Sequence, residues 1–332
     1  MKDAPGFFAS ALTVVVPTYN HAHYLPTALR AILAQTRQAD EFILIDDAST
    51  DNSVSIVEPL LAAHPEIRFV RNEANLGVVR SMNRGLNISR GTAVAFLAAD
   101  DVIYPRFFER AMDLLQIYPG AAFASGRTEI IDAAGNCMGP LGGPTPLQHP
   151  GFIDARTAGK LLMCKDSWFT GNVTIFRREP LVAIGGFPED LDSMTDGYVS
   201  RRLAVCYGCA FTPEVLGAWR RMESGLAWSQ TVDFHYATRI AERVERRMRE
   251  ETEKFPAGYP ERWKRRYLFG ARRFALATSR RKARSKGIGH YLPALVREIF
   301  GTLWLFAIMR PFDIFAMMCR YLRFARVPVN KD

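Results

Sequence analysis

The sequence predicts an α/β fold, a mostly parallel sheet with flanking helices, followed by a basic α-helical C-terminal extension. Three observations predict it. Short apolar runs alternate with helix-period segments over the first 125 residues, and that alternation implies parallel strands joined by crossover helices. Residues 1–235 carry 20 Lys+Arg against 25 Asp+Glu, a net of −5, while residues 236–332 carry 23 against 9, a net of +14. From about Ala227 the pattern turns helical and basic. The expected division is therefore 1–226 and 227–332.

The elements follow in order. Leu12–Pro17 reads as a buried strand, and Tyr24–Gln35 sets Leu25, Leu29, Ile32 and Leu33 on one helical face. Phe42–Ile45 is the next strand, and Asp51 and Asn52 suit the cap of a helix running to Ala63. A strand at Ile67–Val70, a helix from Val78 to Ile88, a strand at Ala93–Leu97 and a helix over Arg106–Ile117 complete the alternation. Between Ala133 and Gly151 the glycines and prolines predict a loop, either a lid or a surface excursion.

Composition narrows the function classes. With 48% apolar and 23% charged residues in 332, the chain can bury a large core. Five cysteines suggest no disulfide framework. Cys206 and Cys209 form a lone CxxC without the second ligand pair a zinc site needs, so structural thiols are expected. His21 and His23 read as loop-tip residues. The start shows no secretory signal, and the longest apolar run, Ile299–Met309, is too short to span a membrane. A cytoplasmic protein, peripheral at most on the inner membrane face, is the expectation.

Two acidic pairs, Asp46-Asp47 and Asp100-Asp101, fall at the carboxyl ends of predicted strands. Ligands of such sheets bind beyond those ends. Adjacent carboxylates repel, and a divalent cation offsets that repulsion. Mg²⁺ and Mn²⁺ prefer oxygen ligands and join carboxylates to substrate phosphates. The pairs therefore point to a metal–diphosphate site.

Val14-Val15-Val16-Pro17-Thr18-Tyr19-Asn20, Ile45-Asp46-Asp47-Ala48-Ser49-Thr50-Asp51, Asn75-Leu76-Gly77, Asn83-Arg84-Gly85 and Ala99-Asp100-Asp101 stand in a specific order. Gly171-Asn172, Phe176-Arg177-Arg178, Gly185-Gly186-Phe187 and Thr195-Asp196 follow. The set, over about residues 12–225, resembles family 2 glycosyltransferases, which have the Rossmann-like GT-A fold. The resemblance implies roles. Pro17, Thr18 and Tyr19 would line the nucleobase pocket. Asp47 would accept a hydrogen bond from the base, and Asp46 would support that loop. Asp100 would contact ribose or metal, Asp101 would hold Mg²⁺ or Mn²⁺, and Asp196 would be the general base. Gly171, Asn172 and Trp168 would lie toward the acceptor. For Trp168, core packing competes with stacking on a sugar, and for Asp196 a helix-capping role competes with catalysis.

The chain also departs from that family. Thr195 stands where many members have Glu, and Met222 stands where Arg-X-His is common. Arg220 and Arg221 are then the candidates for the diphosphate, against a reading as outward surface arginines.

The expected activity is inverting transfer of a sugar from a nucleoside-diphosphate sugar, UDP-linked by preference, to a saccharide or lipid-linked acceptor, in surface polysaccharide or glycolipid synthesis. A non-catalytic nucleotide- or membrane-binding protein of the same fold is the alternative. A sugar nucleotidyltransferase would carry a Gly-rich basic loop where Pro17-Thr18-Tyr19-Asn20 stands. For the basic tail, peripheral contact with an anionic membrane leads over helix packing, and nucleic-acid binding trails for want of a recognised motif.

Overall fold

The first strand, β1 (Leu12–Thr18), is buried at every position, and the chain builds outward from it. Helix α1 (Leu25–Leu33) leads to β2 (Glu41–Asp46), α2 (Ser53–Ala63) to β3 (Ile67–Arg71), and α3 (Val78–Ile88) to β4 (Ala93–Phe96). The computed structural model describes residues 11–166, 168–222, 225–251 and 253–286. The predicted helix and strand positions recur here with ends moved by a residue or two. Asp51 Oδ1 accepts the Ser53 N–H at 3.0 Å, at the start of α2.

The remaining elements of the first unit are β5 (Val102–Ile103), α4 (Phe107–Ile117), β6 (Phe123–Ile131), β7 (Cys137–Pro140), β8 (Gly151–Ile153), α5 (Ala155–Cys164), β9 (Thr174–Arg177), α6 (Arg178–Ala183), α7 (Thr195–Tyr207) and β10 (Cys209–Arg220). The sheet runs β3-β2-β1-β4-β9-β6-β10-β5, with β7 on β6 and β8 on β10. Strands β3, β2, β1 and β4 are parallel throughout. Strand β9 enters antiparallel between β4 and β6, and β10 runs parallel to β6. The loop expected over 133–151 is partly strand, because Cys137–Pro140 pairs with the end of β6; ladder hydrogen bonds outweigh the weak β-propensity of Gly139 and Pro140.

The order 3-2-1-4 puts a topological switch between β1 and β4, where strands part to opposite sides and leave a crevice at their carboxyl ends. The core beneath it joins Leu12, Val14, Val16, Leu29, Leu44, Phe107 and Phe108, all buried. Each such side chain contributes about 1.5–3 kcal/mol on burial. Helix α3 seats on the other face of β1 through Gly85, where a Cβ would overlap the Val15 side chain. Only glycine allows that approach.

A second unit begins at Arg221. It contains α8 (Leu226–Val232), α9 (Phe234–Glu250) and α10 (Tyr259–Lys286). Asp233 caps α9 by accepting the His235 and Tyr236 N–H groups, both at 3.0 Å. Ala237, Ile240, Val244 and Met248 of α9 are buried, as are Tyr259 and Trp263 of α10. The charges of α9 and α10 are partly matched within the unit, with Lys264 2.8 Å from Glu245 and Arg249 2.7 Å from Glu261. No described helix is long and apolar enough to cross a membrane. The apolar segment from Leu292 to Phe315 lies outside the described residues.

Candidate active site

The crevice is built by two loops at strand carboxyl ends and by a third group, in the segment before β9 and the first turn of α7. The first joins the ends of β1 and β2. The Asp47 N–H donates to Thr18 O at 2.8 Å, and Asn20, with φ of 55°, accepts the Thr50 and Asp51 N–H groups at 2.8 and 3.2 Å. Asparagine is among the residues that tolerate that left-handed backbone. Pro17 and Thr18 are buried and Tyr19 is exposed at the rim. The buried Thr18 hydroxyl has no hydrogen-bond partner among the described residues.

Asp46 and Asp47 are both buried, with different partners. Asp46 Oδ2 pairs with Arg71 Nε at 3.1 Å and accepts the Ser49 N–H at 3.2 Å, while its Oδ1 is buried without a hydrogen-bond partner among the described residues. Asp47 Oδ1 accepts from Asn72 Nδ2 at 2.5 Å and from the Leu76 N–H at 2.9 Å, and its Oδ2 accepts the Gly77 N–H at 2.8 Å. Asn72 is in turn held by Arg84 and Ser81. Asp47 thus organises the Asn75-Leu76-Gly77 turn, and a carboxylate's roughly four acceptor positions leave room for one more donor. Sequence reasoning missed Asn72 and Arg71, which stand at the end of β3 without a distinguishing pattern.

The second loop follows β4. Asp101 is 8% exposed and its Oδ1 accepts the Arg220 backbone N–H at 2.9 Å. Burial first, then the Asp100 charge, lift the Asp101 carboxyl well above the ordinary carboxylate range, against the Arg220 N–H and charge. Arg220 is not an outward surface residue. It is 7% exposed, its Nε donates to Asp100 O at 2.8 Å, and its Nη1 donates to Asp132 O and Ala133 O at 3.0 Å. Its guanidinium lies 4.8 Å from the Tyr24 ring centre. With those donors engaged, Arg220 clamps the Asp100-Asp101 loop to the end of β10.

The third group surrounds Asp196, in the first turn of α7. Asp196 is half-buried, and its Oδ1 accepts the Gly197 N–H at 2.6 Å. It does not occupy the capping position, which falls to Met194. Burial raises the carboxyl above its ordinary value, opposed by the Gly197 N–H and the Arg201 charge. Gly171 presses on the Asp196 carboxylate, and a Cβ there would overlap Oδ2. Next to it, Asn172 Oδ1 accepts from the Thr128 hydroxyl at 3.1 Å, which turns Nδ2 toward a buried position without a partner. Asn172 and Asp101 line one small cavity together with Leu97 and Ala98. Through Gly171-Asn172 the fold therefore connects Asp196 with the Asp101 loop.

Two further expected residues make contacts of their own. Trp168 is 4% exposed, packed edge-on to Phe169 with ring centres 5.1 Å apart. Its indole is core and presents no face to a sugar. Arg221 lies in the second unit, 5.5 Å from the Trp228 ring, and the Met222 carbonyl there accepts the Gly225 N–H at 3.1 Å. Cys209 is buried in β10 with its thiol pushed up to about 12 by burial, the raised value of a structural cysteine.

Among the described residues no three carboxylate, His or Cys groups converge on one point. The donor set still suits a hard cation. Asp101 is a buried carboxylate beside a second one, with only a backbone donor on Oδ1. Mg²⁺ and Mn²⁺ sites of one or two carboxylates are completed by substrate phosphates.

Known proteins agree with this architecture. The solved mannosyltransferase PcManGT from Pyrobaculum calidifontis, in complex with GDP-Man and Mn²⁺, superposes with a TM-score of 0.56 at 22% identity, covering 98% of this chain and 89% of that one. S. aureus TarS residues 1–349 with UDP-GlcNAc superposes with a TM-score of 0.54 at 19% identity, covering 70% and 66%. These likenesses establish the GT-A fold. The Escherichia coli K12 uncharacterized glycosyltransferase YibD is 38% identical over 103 residues, which is 31% of this chain and 30% of that protein. A PGL/p-HBAD biosynthesis glycosyltransferase of Mycobacterium bovis is 34% identical over 96 residues, 29% of this chain and 38% of its own. The matched stretch is thus about a third of these relatives' length. The family described as glycosyl transferase family 2 matches residues 13–184, from β1 through α6, including both acid pairs and ending before Asp196; this chain belongs to glycosyl transferase family 2.

Proposed function

We propose that the chain transfers a sugar, with inversion, from a nucleoside-diphosphate sugar to a hydroxyl of a saccharide or lipid-linked acceptor, in surface polysaccharide or glycolipid synthesis. The observation that carries this reading is the link, through Gly171 and Asn172, between a buried acid loop at the sheet's switch point and a half-buried Asp196.

Pro17, Thr18 and Tyr19 hold the base and ribose, with the remaining acceptor position of Asp47 taking a base N–H. Asp46 braces the loop, and Asp100 lies toward the ribose. Asp101, with Asp100, holds Mg²⁺ or Mn²⁺. When bound, the cation neutralises charge growing on the leaving diphosphate. Asp196 takes the acceptor hydroxyl's proton as that oxygen attacks the anomeric carbon. The new carbon–oxygen bond forms as the bond to the diphosphate breaks, the electron pair leaving with the diphosphate. A single displacement of this kind inverts the anomeric centre. The raised carboxyl of Asp196 suits a base, since a stronger base accepts a proton more readily once ionised.

GDP-Man and UDP-GlcNAc, bound by the two solved neighbours, head the donor panel. Thermal shifts with UDP-, GDP- and dTDP-sugars, with and without Mn²⁺, test the reading. Stabilisation by one donor, enlarged by Mn²⁺, is expected; stabilisation by none would sink it. The net charge of +14 over residues 236–332 supports a further reading of that region as a peripheral contact with anionic membrane.

A further inference from the structure

We propose that Arg201, held by the buried carboxylate of Asp166, is a positioning residue that keeps Asp196 ionised and aimed for proton transfer. The inference rests on the reading of Asp196 as the base.

Three observations carry it. Arg201 Nη2 and Asp166 Oδ1 are 3.1 Å apart, and both side chains are only 5% exposed. Arg201 Nη1 donates to Gly197 O at 2.7 Å, tying down the turn that carries Asp196, and its guanidinium lies 5.2 Å from the Phe169 ring centre. A Cβ on Gly197 would meet that Nη1 at 2.9 Å. Asp196 thus lies between Gly171, which leaves its carboxylate room, and the Gly197 turn that Arg201 fastens.

Asp166 has a φ of 36°, an uncommon conformation for a residue other than glycine. A buried ion pair is weak ground for stability, because packed apolar residues do as well or better. Strain and buried charge together, beside a candidate base, point to a task. The chemistry supplies one. A carboxylate drawn out of water needs a nearby cation to stay charged, yet a cation given to it alone would make it a feeble base. A guanidinium shared with Asp166 satisfies both demands.

Other charges do not take this role. The elements packed on α7 bring Arg156 and Lys160 from α5 with Lys165 and Asp166 at its exit, Arg127 and Glu129 from β6, Arg178 and Glu179 from α6, and Asp190 and Asp192 from the turn before α7. Glu189 of that turn pairs with Arg80 at 2.7 Å. Arg201, bonded to the Gly197 carbonyl, sets its charge beside the turn that carries Asp196, where it opposes the upward pull of burial on the carboxyl.

The test is a pH titration of the Asp196 side-chain carboxyl by ¹³C NMR in protein labelled at aspartate Cγ, the signal assigned by its loss in Asp196→Asn. Arg201→Met is expected to raise the midpoint by about one unit or more, and Arg201→Lys to leave it within about half a unit. Asp166→Asn, which releases the guanidinium to Asp196, is expected to lower it by about half a unit. Release of UDP from UDP-GlcNAc, or of GDP from GDP-mannose, with Mn²⁺ gives the second readout. Arg201→Met should lower kcat by about ten- to a hundredfold with donor KM within about twofold, and Arg201→Lys should recover most of it. An unmoved midpoint in both Arg201→Met and Asp166→Asn would overturn the proposal. If circular dichroism shows Arg201→Met unfolded, an unmoved midpoint in Asp166→Asn alone overturns it. Normal turnover by Asp196→Asn would instead defeat the reading of Asp196 as base, a separate failure.

Discussion

At the scale of single residues, the acid loop holds a buried carboxyl whose charged form burial disfavours. Burial lifts the Asp101 carboxyl above its ordinary 3.8. The folded state therefore holds that proton more tightly than the unfolded chain. Stability from this group is full at low pH and falls as pH rises above about 4 through the raised folded value. Asp101→Asn keeps the acceptor for the Arg220 N–H and removes the buried charge. In EDTA at neutral pH the variant should melt above the parent, by about 2–4 °C for each kcal/mol recovered. The gap should close toward pH 4. Mn²⁺ should raise the Tm of the parent and not of Asp101→Asn, and a parent indifferent to Mn²⁺ would remove Asp101 from the metal site. Gly171 offers a second test. Its missing side chain leaves room for Asp196 Oδ2. In Gly171→Ala the carboxylate must swing away, and kcat should drop by about a hundredfold while nucleotide affinity, measured by calorimetry, holds.

Elements were more legible than the bonds between them. Strands β1, β2 and β4 show as apolar runs because they are buried on both faces, while the edge strand β3 carries exposed Arg68 and Arg71. Helix α3 shows its phase and its Gly77 start. Strand β7 was hidden, since a short edge of Cys137-Met138-Gly139-Pro140 has no alternation and pairs only because β6 offers it a free side. The acid pairs were visible as residues, but their partners were not. Nothing local announces that Asp47 would fasten Leu76 and Gly77, nearly 30 residues on, or that Arg220 would lock Asp100 from the far end of the first unit. Such contacts depend on strand order, and the sequence pattern leaves β9 and β10 unordered. Asp166 and Arg201 were likewise indistinguishable from surface charges. The Asp47 link can be tested as an element. Asp47→Ala strips the acceptor from two backbone N–H groups and the Asn72 amide, a loss of about 1–3 kcal/mol. The Tm should fall by roughly 3–10 °C. Because the turn at Asn75–Gly77 borders the crevice, affinity for UDP or GDP should fall at least about tenfold. A variant that melts lower and binds the nucleotide unchanged would confine Asp47 to folding.

At the scale of the whole molecule, the division of charge is the fact to be explained. The net is −5 over residues 1–235 and +14 over 236–332. Part of the basic excess is answered within the helical unit, where Lys264 and Arg249 meet Glu245 and Glu261. The region still keeps its net of +14, and at about 1 kcal/mol per Lys or Arg near an anionic surface the proposed contact with a lipid headgroup layer would use it. The structure also bears on the form such a contact takes. Tyr259 and Trp263 of α10, the latter beside Lys264, Arg265 and Arg266, are buried. They are not exposed for insertion among acyl chains, and of the large apolar side chains described in α9 and α10 Phe274 is exposed, so the proposed contact would rest on charge more than on apolar anchoring. Attraction of that kind is screened, the Debye length falling from about 10 Å at 0.1 M salt to 3 Å at 1 M. The full chain should therefore float with vesicles of phosphatidylcholine containing about a third phosphatidylglycerol at low salt, and leave them almost entirely by 0.5 M NaCl. Pure phosphatidylcholine vesicles should not carry it. Equal flotation on both kinds of vesicle would mean that apolar insertion dominates. Flotation on neither at low salt would return the basic face to the solvent, or to an acidic partner other than lipid.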